Sequence, residues 1–151
     1  MISVRPAVLA DADAMSDLLI ASITALCVQD HQNRPEAVAP WLANKTPDGI
    51  RQWFANPNSR LFVAEHDGVV AAAGGFNGKR EITLNYVSPE HRFVGASTAL
   101  LATMETVLGP GEATLTSTIT AHRFYLSRGW TDTGSVDRYA GMIAYPMRKR
   151  L

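Results

Sequence analysis

The sequence predicts an α/β fold of the α+β type, a mixed central sheet of about six to seven strands flanked by helices on both faces. Strand-like segments joined by tight turns alternate with amphipathic helical segments along the chain. A strand near residues 81–87 leads through a small-residue turn into a helix and then a further strand, a crossover that makes the two strands parallel neighbours. The 151 residues, 46% of them hydrophobic, suit a single domain over residues 1–151.

Composition excludes several classes of function. The chain has 14 basic and 14 acidic residues and no basic cluster beyond residues 148–150, which argues against nucleic-acid binding. Its apolar runs are too short to span a membrane, and its N-terminus lacks the pattern of a signal peptide. The single cysteine, Cys27, fits a reducing cytoplasm, and its spacing to Asp30 and His31 does not make a metal-ligand set. We therefore expect a cytoplasmic protein without a metal.

The N-terminal third contains one strand and two helical segments. A strand at residues 2–5 precedes a helix that starts near Asp11 and Asp13, where carboxylates favour a helix start. This helix fades near residue 30, and a looser region runs to about Pro57. Within that region, Thr46 followed by a proline predicts the start of a short helix.

Two hairpins predict the middle of the sheet. Asp67-Gly68 joins strands at residues 61–66 and 69–76, and Asn77-Gly78 leads into the strand at 81–87. The pair Gly74-Gly75 is a candidate bulge. Alternation along the third strand places Glu81, Thr83 and Asn85 on one face of the sheet.

The turn after this strand carries the pattern Arg-x-x-Gly-x-Ser, from Arg92 to Ser97, where the next helix begins. A helix start concentrates unpaired backbone N–H groups and the positive end of the helix dipole, which together bind phosphate. An ordinary strand–helix connection is the alternative that the local pattern leaves open.

The C-terminal third predicts two helices and three strands. The helix after the turn stops at Gly109, and a Thr-rich strand covers residues 113–118. Thr120 then caps a short helix at residues 121–128, and two strands follow near residues 131–138 and 142–149.

Residues 87–97 and 121–130 together resemble the GNAT family of acyl-CoA-dependent N-acetyltransferases. The first stretch, VSPEHRFVGAS, is similar to the family's strand and pyrophosphate loop, with the pattern (Arg/Gln)-x-x-Gly-x-(Gly/Ala). The second, AHRFYLSRGW, is similar to the family's late helix, with an aromatic–Tyr pair and a closing Gly–aromatic pair. The resemblance covers essentially the whole chain and implies a GNAT fold that uses acetyl-CoA as co-substrate.

The resemblance also implies which residues hold acetyl-CoA. Backbone amides of the turn point at the pyrophosphate, and the peptide-like pantetheine arm pairs with the edge of the strand at residues 85–87. Thr118 stands where many members have an asparagine that contacts the cofactor arm. The cofactor-binding residues implied in this way are Tyr86, Val87, Arg92, Phe93, Val94, Gly95, Ala96, Ser97, Thr98 and Thr118.

The chemistry implied by the resemblance is transfer of an acetyl group to a primary amine by direct attack in a ternary complex. Tyr125 matches the tyrosine that protonates the leaving sulfur in many members, whereas the pattern alone also fits a core aromatic. Glu81 stands where a glutamate takes the amine proton in the histone-acetyltransferase branch. Asn85, holding a water, is the alternative.

The resemblance is less specific about the residues that bind the acceptor amine. Asp30 and His31 follow the first helix, a region that shapes the acceptor pocket in this family, and a polar loop is the alternative. Trp41, Trp53 and Phe54 indicate a partly apolar pocket. The expected partner is a small-molecule or peptide amine, and a homodimer is among the expected assemblies. The alternative functions are a non-catalytic acyl-CoA-binding module and a protein or peptide N-acetyltransferase.

Overall fold

The computed structural model describes residues 1–151. Helices α1 to α6 span Ala12–Leu26, Val28–His31, Pro35–Leu42, Pro47–Ala55, Ala96–Leu108 and Ile119–Ser127. Strands β1 to β8 span Ile2–Pro6, Ser59–His66, Val69–Asn77, Glu81–Val87, Glu112–Ser117, Thr131–Asp132, Val136–Asp137 and Ile143–Arg150. None of the helices is long and apolar enough to cross a membrane.

The strands form one mixed sheet in the order β1-β2-β3-β4-β5-β8-β6, with β7 also paired to β8. Every pairing is antiparallel except that of β4 with β5, as the crossover through α5 predicts. The mixed sheet with helices on both faces is confirmed. It has eight strands rather than six to seven, because the segment at residues 131–138 forms two short strands on either side of Gly134.

The parallel pair is the feature of the sheet that positions the site. β4 and β5 pair only at Glu81 with Thr114 and at Ile82 with Leu115, and then separate. The edge of β4 that faces β5 therefore has no strand partner from Thr83 onward. Backbone N–H and C=O groups along such an edge need water or a ligand to satisfy them.

A β-bulge in β4 changes which side chains share a face. Thr83 has no partner in β3, because consecutive β3 residues pair with Ile82 and Leu84. An extra residue reverses the alternation of side chains. Accordingly, Ile82 packs in the cluster beside α5, whereas Leu84 packs in the cluster beside α1. The prediction that Glu81 and Asn85 lie on the same face is therefore wrong.

Two helical layers cover the sheet. Helices α1 and α4 pack on one face and α5 packs on the other. The core on the α1 side includes Met15, Leu19, Ile50 and Val63, and the core on the α5 side includes Phe62, Leu100, Met104 and Leu115. These residues recur at helical or strand spacing, so each element buries one apolar side.

Residues 28–57 contain more helix than the sequence predicts. They form α2, α3 and α4, with prolines at the first positions of α3 and α4. The predicted start of α4 is confirmed, because Thr46 Oγ1 accepts a hydrogen bond of 3.0 Å from the Gly49 N–H. Pro40 lies inside α3, so proline did not mark a break there.

Candidate active site

A cleft of about 380 Å³ opens where β4 and β5 separate. The free edge of β4, the end of β5, the loop before α5 and one side of α6 form its walls. The structure brings many of the predicted site residues together in this lining, namely Asn85, Tyr86, Val87, Arg92, Phe93, Gly95, Ala96, Ser97, Thr98, Thr118 and Tyr125. Glu81, Val94, Asp30 and His31 lie outside the lining.

The loop between β4 and α5 offers a run of unpaired backbone donors. No backbone N–H of residues 93–98 donates a hydrogen bond within the protein, and no side chain caps α5. Phe93 and Gly95 adopt positive φ angles of 66° and 89°. Alternating conformations of this kind gather successive N–H groups into an anion-binding concavity, and the α5 dipole adds to it. This arrangement suits a phosphate or pyrophosphate.

Phe93 is unusual in this loop because its side chain is 92% exposed and its backbone is left-handed. The Arg92 guanidinium lies 4.6 Å from the centre of its ring. A cation near an aromatic face is attracted by the ring quadrupole, so the two side chains orient each other at the cleft.

Tyr125 lies on the side of α6 that faces the cleft. The residue is 6% exposed, and burial raises the pKa of its hydroxyl to about 12, an effect that the neighbouring Asn85 side chain partly offsets. The Asn85 side chain thus lies beside the phenol, while its Oδ1 is buried and accepts no hydrogen bond. The pair therefore presents a protonated hydroxyl and a free amide oxygen at the same point of the cleft.

Glu81 stands apart from this pair. It begins β4 where β4 still pairs with β5, and its carboxylate accepts a hydrogen bond of 2.9 Å from the Asn77 side-chain amide. The bulge at Thr83 places its side chain on the face opposite to that of Asn85. The structure therefore does not bring Glu81 together with Asn85 and Tyr125.

Thr118 has a structural function at the cleft. Its Oγ1 accepts a hydrogen bond of 3.0 Å from the Ala121 N–H, which makes Thr118 the N-cap of α6. The prediction that Thr120 caps this helix is wrong, and α6 begins at Ile119. The β-strand before it ends one residue earlier than predicted, so the cap falls at the strand–helix junction.

Asp30 and His31 are buried and hydrogen-bonded inside the protein. Asp30 accepts hydrogen bonds from the backbone N–H groups of Ile119, at 2.7 Å, and of Thr120, at 3.2 Å. His31 has no exposed surface, and its Nε2 lies 2.8 Å from the Ile23 carbonyl oxygen. This position does not support the predicted substrate contact, because both side chains face the protein and not the cleft.

Arg128 and His91 line the cleft although neither was among the predicted site residues. Arg128 donates a hydrogen bond of 3.0 Å from Nη2 to Thr98 Oγ1, which ties the end of α6 to the start of α5. Its spacing of three residues from Tyr125 placed it on the same side of the helix and was the available signal. His91 also lines the cleft, and its Nδ1 is buried without a partner. Nothing in the sequence distinguishes His91 from a turn residue.

Solved structures share this architecture over nearly the whole chain. A GCN5-related N-acetyltransferase from Rhodopseudomonas palustris is 21% identical with a TM-score of 0.85, over 99% of this chain and 95% of that one. The PaiA N-acetyltransferase from Thermoplasma acidophilum, in complex with coenzyme A, is 14% identical with a TM-score of 0.75, over 100% and 99% of the two chains. A histone acetyltransferase HPA2 and related acetyltransferase from Corynebacterium glutamicum is 18% identical with a TM-score of 0.72, over 99% and 96%.

These identities are low, so the likeness establishes the fold alone. No curated protein matches the sequence at a significant level. The family model for the acetyltransferase (GNAT) domain matches residues 28–151, which include most of the cleft lining, the loop before α5 and all of α6. The chain belongs to the GNAT acetyltransferase family.

Proposed function

We propose that this protein is an N-acetyltransferase that moves an acetyl group from acetyl-CoA to a primary amine by direct attack in a ternary complex. The observation that carries the proposal is the opening between β4 and β5 directly beside the unpaired N–H groups of residues 93–98. Membership of the GNAT family supports acyl transfer in general. The coenzyme A complex of the similar Thermoplasma acidophilum protein supports the choice of acyl donor.

The residues of the cleft fit acetyl-CoA. The N–H groups of residues 93–98 would hold the pyrophosphate, and Arg92 and Arg128 add positive charge at the cleft. The free edge of β4 at Tyr86 and Val87 would pair with the amide groups of the pantetheine arm, as an added strand would. Asn85 Oδ1, which is buried without a partner, leaves a free acceptor in the same part of the cleft.

Acetyl-CoA supplies the acetyl group on a thioester. Tyr125 would donate the proton that the sulfur takes up as the C–S bond breaks and the C–N bond to the amine forms. Because burial raises its pKa to about 12, the hydroxyl keeps this proton at neutral pH. The Asn85 side chain lies beside this hydroxyl and partly offsets the rise in its pKa.

Two routes remain for the proton that the amine loses. A water bound to the free Oδ1 of Asn85 would lie beside the proposed acid. Glu81 would act only through intervening water, because its carboxylate is outside the cleft lining and bonded to Asn77. We favour the first route. Under it, the Glu81→Gln variant keeps most of its turnover, and a large loss with a shifted pH–rate profile would favour Glu81.

The test of the proposal is thiol release from acetyl-CoA with a panel of small amines and amine-bearing peptides. The Tyr125→Phe variant should lose about 100-fold in kcat, with little change in KM for acetyl-CoA, because only the proton donor is removed. Tyr145→Phe is the matched control, since Tyr145 stacks on His122 outside the cleft lining.

Equal turnover of wild type and Tyr125→Phe would remove Tyr125 from the mechanism. Tight binding of coenzyme A without turnover of any amine would instead identify a non-catalytic acyl-CoA-binding module. Turnover of peptides but of no small amine would identify a protein or peptide acetyltransferase.

A further inference from the structure

Arg138 and Lys45 are cationic side chains without a carboxylate partner. Neither Arg138 nor Lys45 forms an ion pair with any acidic side chain. Arg138 follows β7, and Lys45 lies between α3 and α4. The charge of Arg138 contributes to the lowered pKa of Lys45, so the two cations act on each other although they are distant in sequence. Like charges gathered in a partly buried place disfavour each other unless an anion joins them.

Arg138 is held in a defined orientation. Its guanidinium carbon lies 4.6 Å from the centre of the Trp41 ring and 5.5 Å from that of Tyr139. Trp41 is 3% exposed, so this platform is fixed in the core. A guanidinium that rests on an aromatic ring keeps its N–H groups available to pair with a carboxylate.

Lys45 is a buried cation whose charge no carboxylate neutralises. Its residue is 8% exposed, its Nζ donates a hydrogen bond of 2.6 Å to the Asn44 side-chain oxygen, and the Trp53 ring centre lies 5.7 Å away. Burial, with a smaller contribution from the Arg138 charge, lowers its pKa to about 8. An anion bound near Lys45 would offset both the burial of its charge and the repulsion from Arg138.

The charged pair adjoins the cleft rather than a separate part of the surface. Tyr86 and Cys27 line the cleft, and the charge of Arg138 lowers the pKa of both, against the dominant raising effect of burial. Cys27, Trp41 and Met142 belong to one apolar cluster, against which Tyr86 and Tyr139 pack. The aromatic side chains of Tyr86, Trp41 and Tyr139 therefore extend from the cleft to Arg138.

We propose that the acceptor amine carries a carboxylate, which the Arg138 guanidinium binds where it rests on Trp41 and Tyr139, with Lys45 adding positive charge. This inference rests on the proposed function, and it narrows the acceptor to a small amino acid or another amine with an acid group. The loop of residues 93–98 is taken by the pyrophosphate in that proposal, so this second anion site is left for the acceptor.

The test compares acceptors that differ only in the acid group. Phenylalanine and phenylalaninamide have the same amine and ring, and differ in a carboxylate or a neutral amide. We expect wild type to prefer the carboxylate in kcat/KM by about 10- to 100-fold, the range of a charge-assisted hydrogen bond to a buried cation. Phosphoethanolamine, compared with ethanolamine, tests whether a phosphate is accepted in place of the carboxylate.

Variants of Arg138 and Lys45 test whether these two residues cause the preference for the carboxylate. Arg138→Gln should bring the ratio close to one, and Arg138→Lys should restore part of it, because lysine keeps the charge but not the planar pair of donors. Lys45→Met should lower the ratio as well. Arg148→Gln is the matched control, since Arg148 is an exposed arginine on β8 outside the cleft, and both its turnover and its preference should stay unchanged.

Equal use of the carboxylate and the amide by wild type, or a preference that survives Arg138→Gln, would overturn the inference. If wild type acetylates no amine at all, calorimetry with phenylalanine in the presence of coenzyme A decides the question without turnover. If wild type binds phenylalanine and Arg138→Gln does not, the anion site is supported even though the proposed function fails. Absence of binding, or equal binding by both proteins, refutes the site.

Discussion

Asp30 is a buried carboxylate whose hydrogen-bond partners lie at the start of α6. It accepts from the N–H groups of Ile119 and Thr120 and from the Thr120 hydroxyl, which is close to its Oδ2. A helix start leaves N–H groups without partners, and a carboxylate there also meets the positive end of the dipole. Asp30 on α2 therefore fastens α6, the helix that carries Tyr125, across 89 residues of chain.

Removal of this carboxylate should act on stability and not on acceptor recognition. We expect Asp30→Ala to lower the free energy of unfolding by about 1–3 kcal/mol, because buried N–H groups lose their acceptor. Urea unfolding followed by fluorescence measures this loss, and Asp137→Ala, at an exposed aspartate, is the control. A large rise in the KM of the acceptor with unchanged stability would instead support the predicted contact between Asp30 and the substrate.

At the scale of the element, α5 depends on a glycine at each end. Gly95 precedes the helix with φ of 89° and Gly109 follows it with φ of 72°, and a Cβ at either position would meet no atom within 4 Å. Substitution by alanine therefore costs backbone strain and not a steric clash. The two positions differ in what surrounds them, because only Gly95 belongs to the loop of free N–H groups.

This symmetry makes a paired test of the loop. Gly95→Ala and Gly109→Ala should each lower the free energy of unfolding by about 1–3 kcal/mol. Only Gly95→Ala should also weaken coenzyme A binding, by about 10-fold or more, since a shifted backbone misdirects the N–H donors. Calorimetric titration with coenzyme A separates the two variants. The same affinity for both would show that the loop does not hold the pyrophosphate.

Across the whole molecule, buried titratable groups predict how stability depends on pH. Burial raises the pKa of the Cys27 thiol from 9.0 to about 12 and that of Tyr125 from 10.0 to about 12, and it also raises that of Tyr86. The folded chain then keeps protons that the unfolded chain loses, so this stabilisation is full below pH 9 and is lost progressively above it. Lys45 acts oppositely, because its pKa falls from 10.5 to about 8.

The two effects together define a stability profile. Between pH 8 and 9 the unfolded chain alone keeps the Lys45 proton, so stability should rise; above pH 10 the buried phenols dominate and it should fall. Thermal unfolding between pH 7 and 11 measures the profile, and Lys45→Met should abolish the rise and keep the fall. A profile that is flat above pH 10 would contradict the burial of the phenols.

Local sequence signals were sufficient where one short segment carries the information. The hairpin turns, the start of α4 at Thr46 and the loop at residues 92–97 all depend on the conformations that glycine, proline or threonine favour. The bulge at Thr83 is different, because it exists only as a mismatch between β3 and β4. The bulge places Glu81 and Asn85 on opposite faces of the sheet. The alternation of side chains along β4 alone could not predict this.

The sequence by itself determined the family, the order of the elements and the loop of residues 92–97, because local backbone preferences and hydrophobic periodicity specify them. The tertiary structure alone decided that Asp30 accepts hydrogen bonds from the start of α6, that Glu81 faces away from Asn85, and that Arg138 lies over the Trp41 ring. These facts depend on residues far apart in the chain. Only the packed fold brings such residues to one place, where burial and neighbouring charge define what each side chain can do.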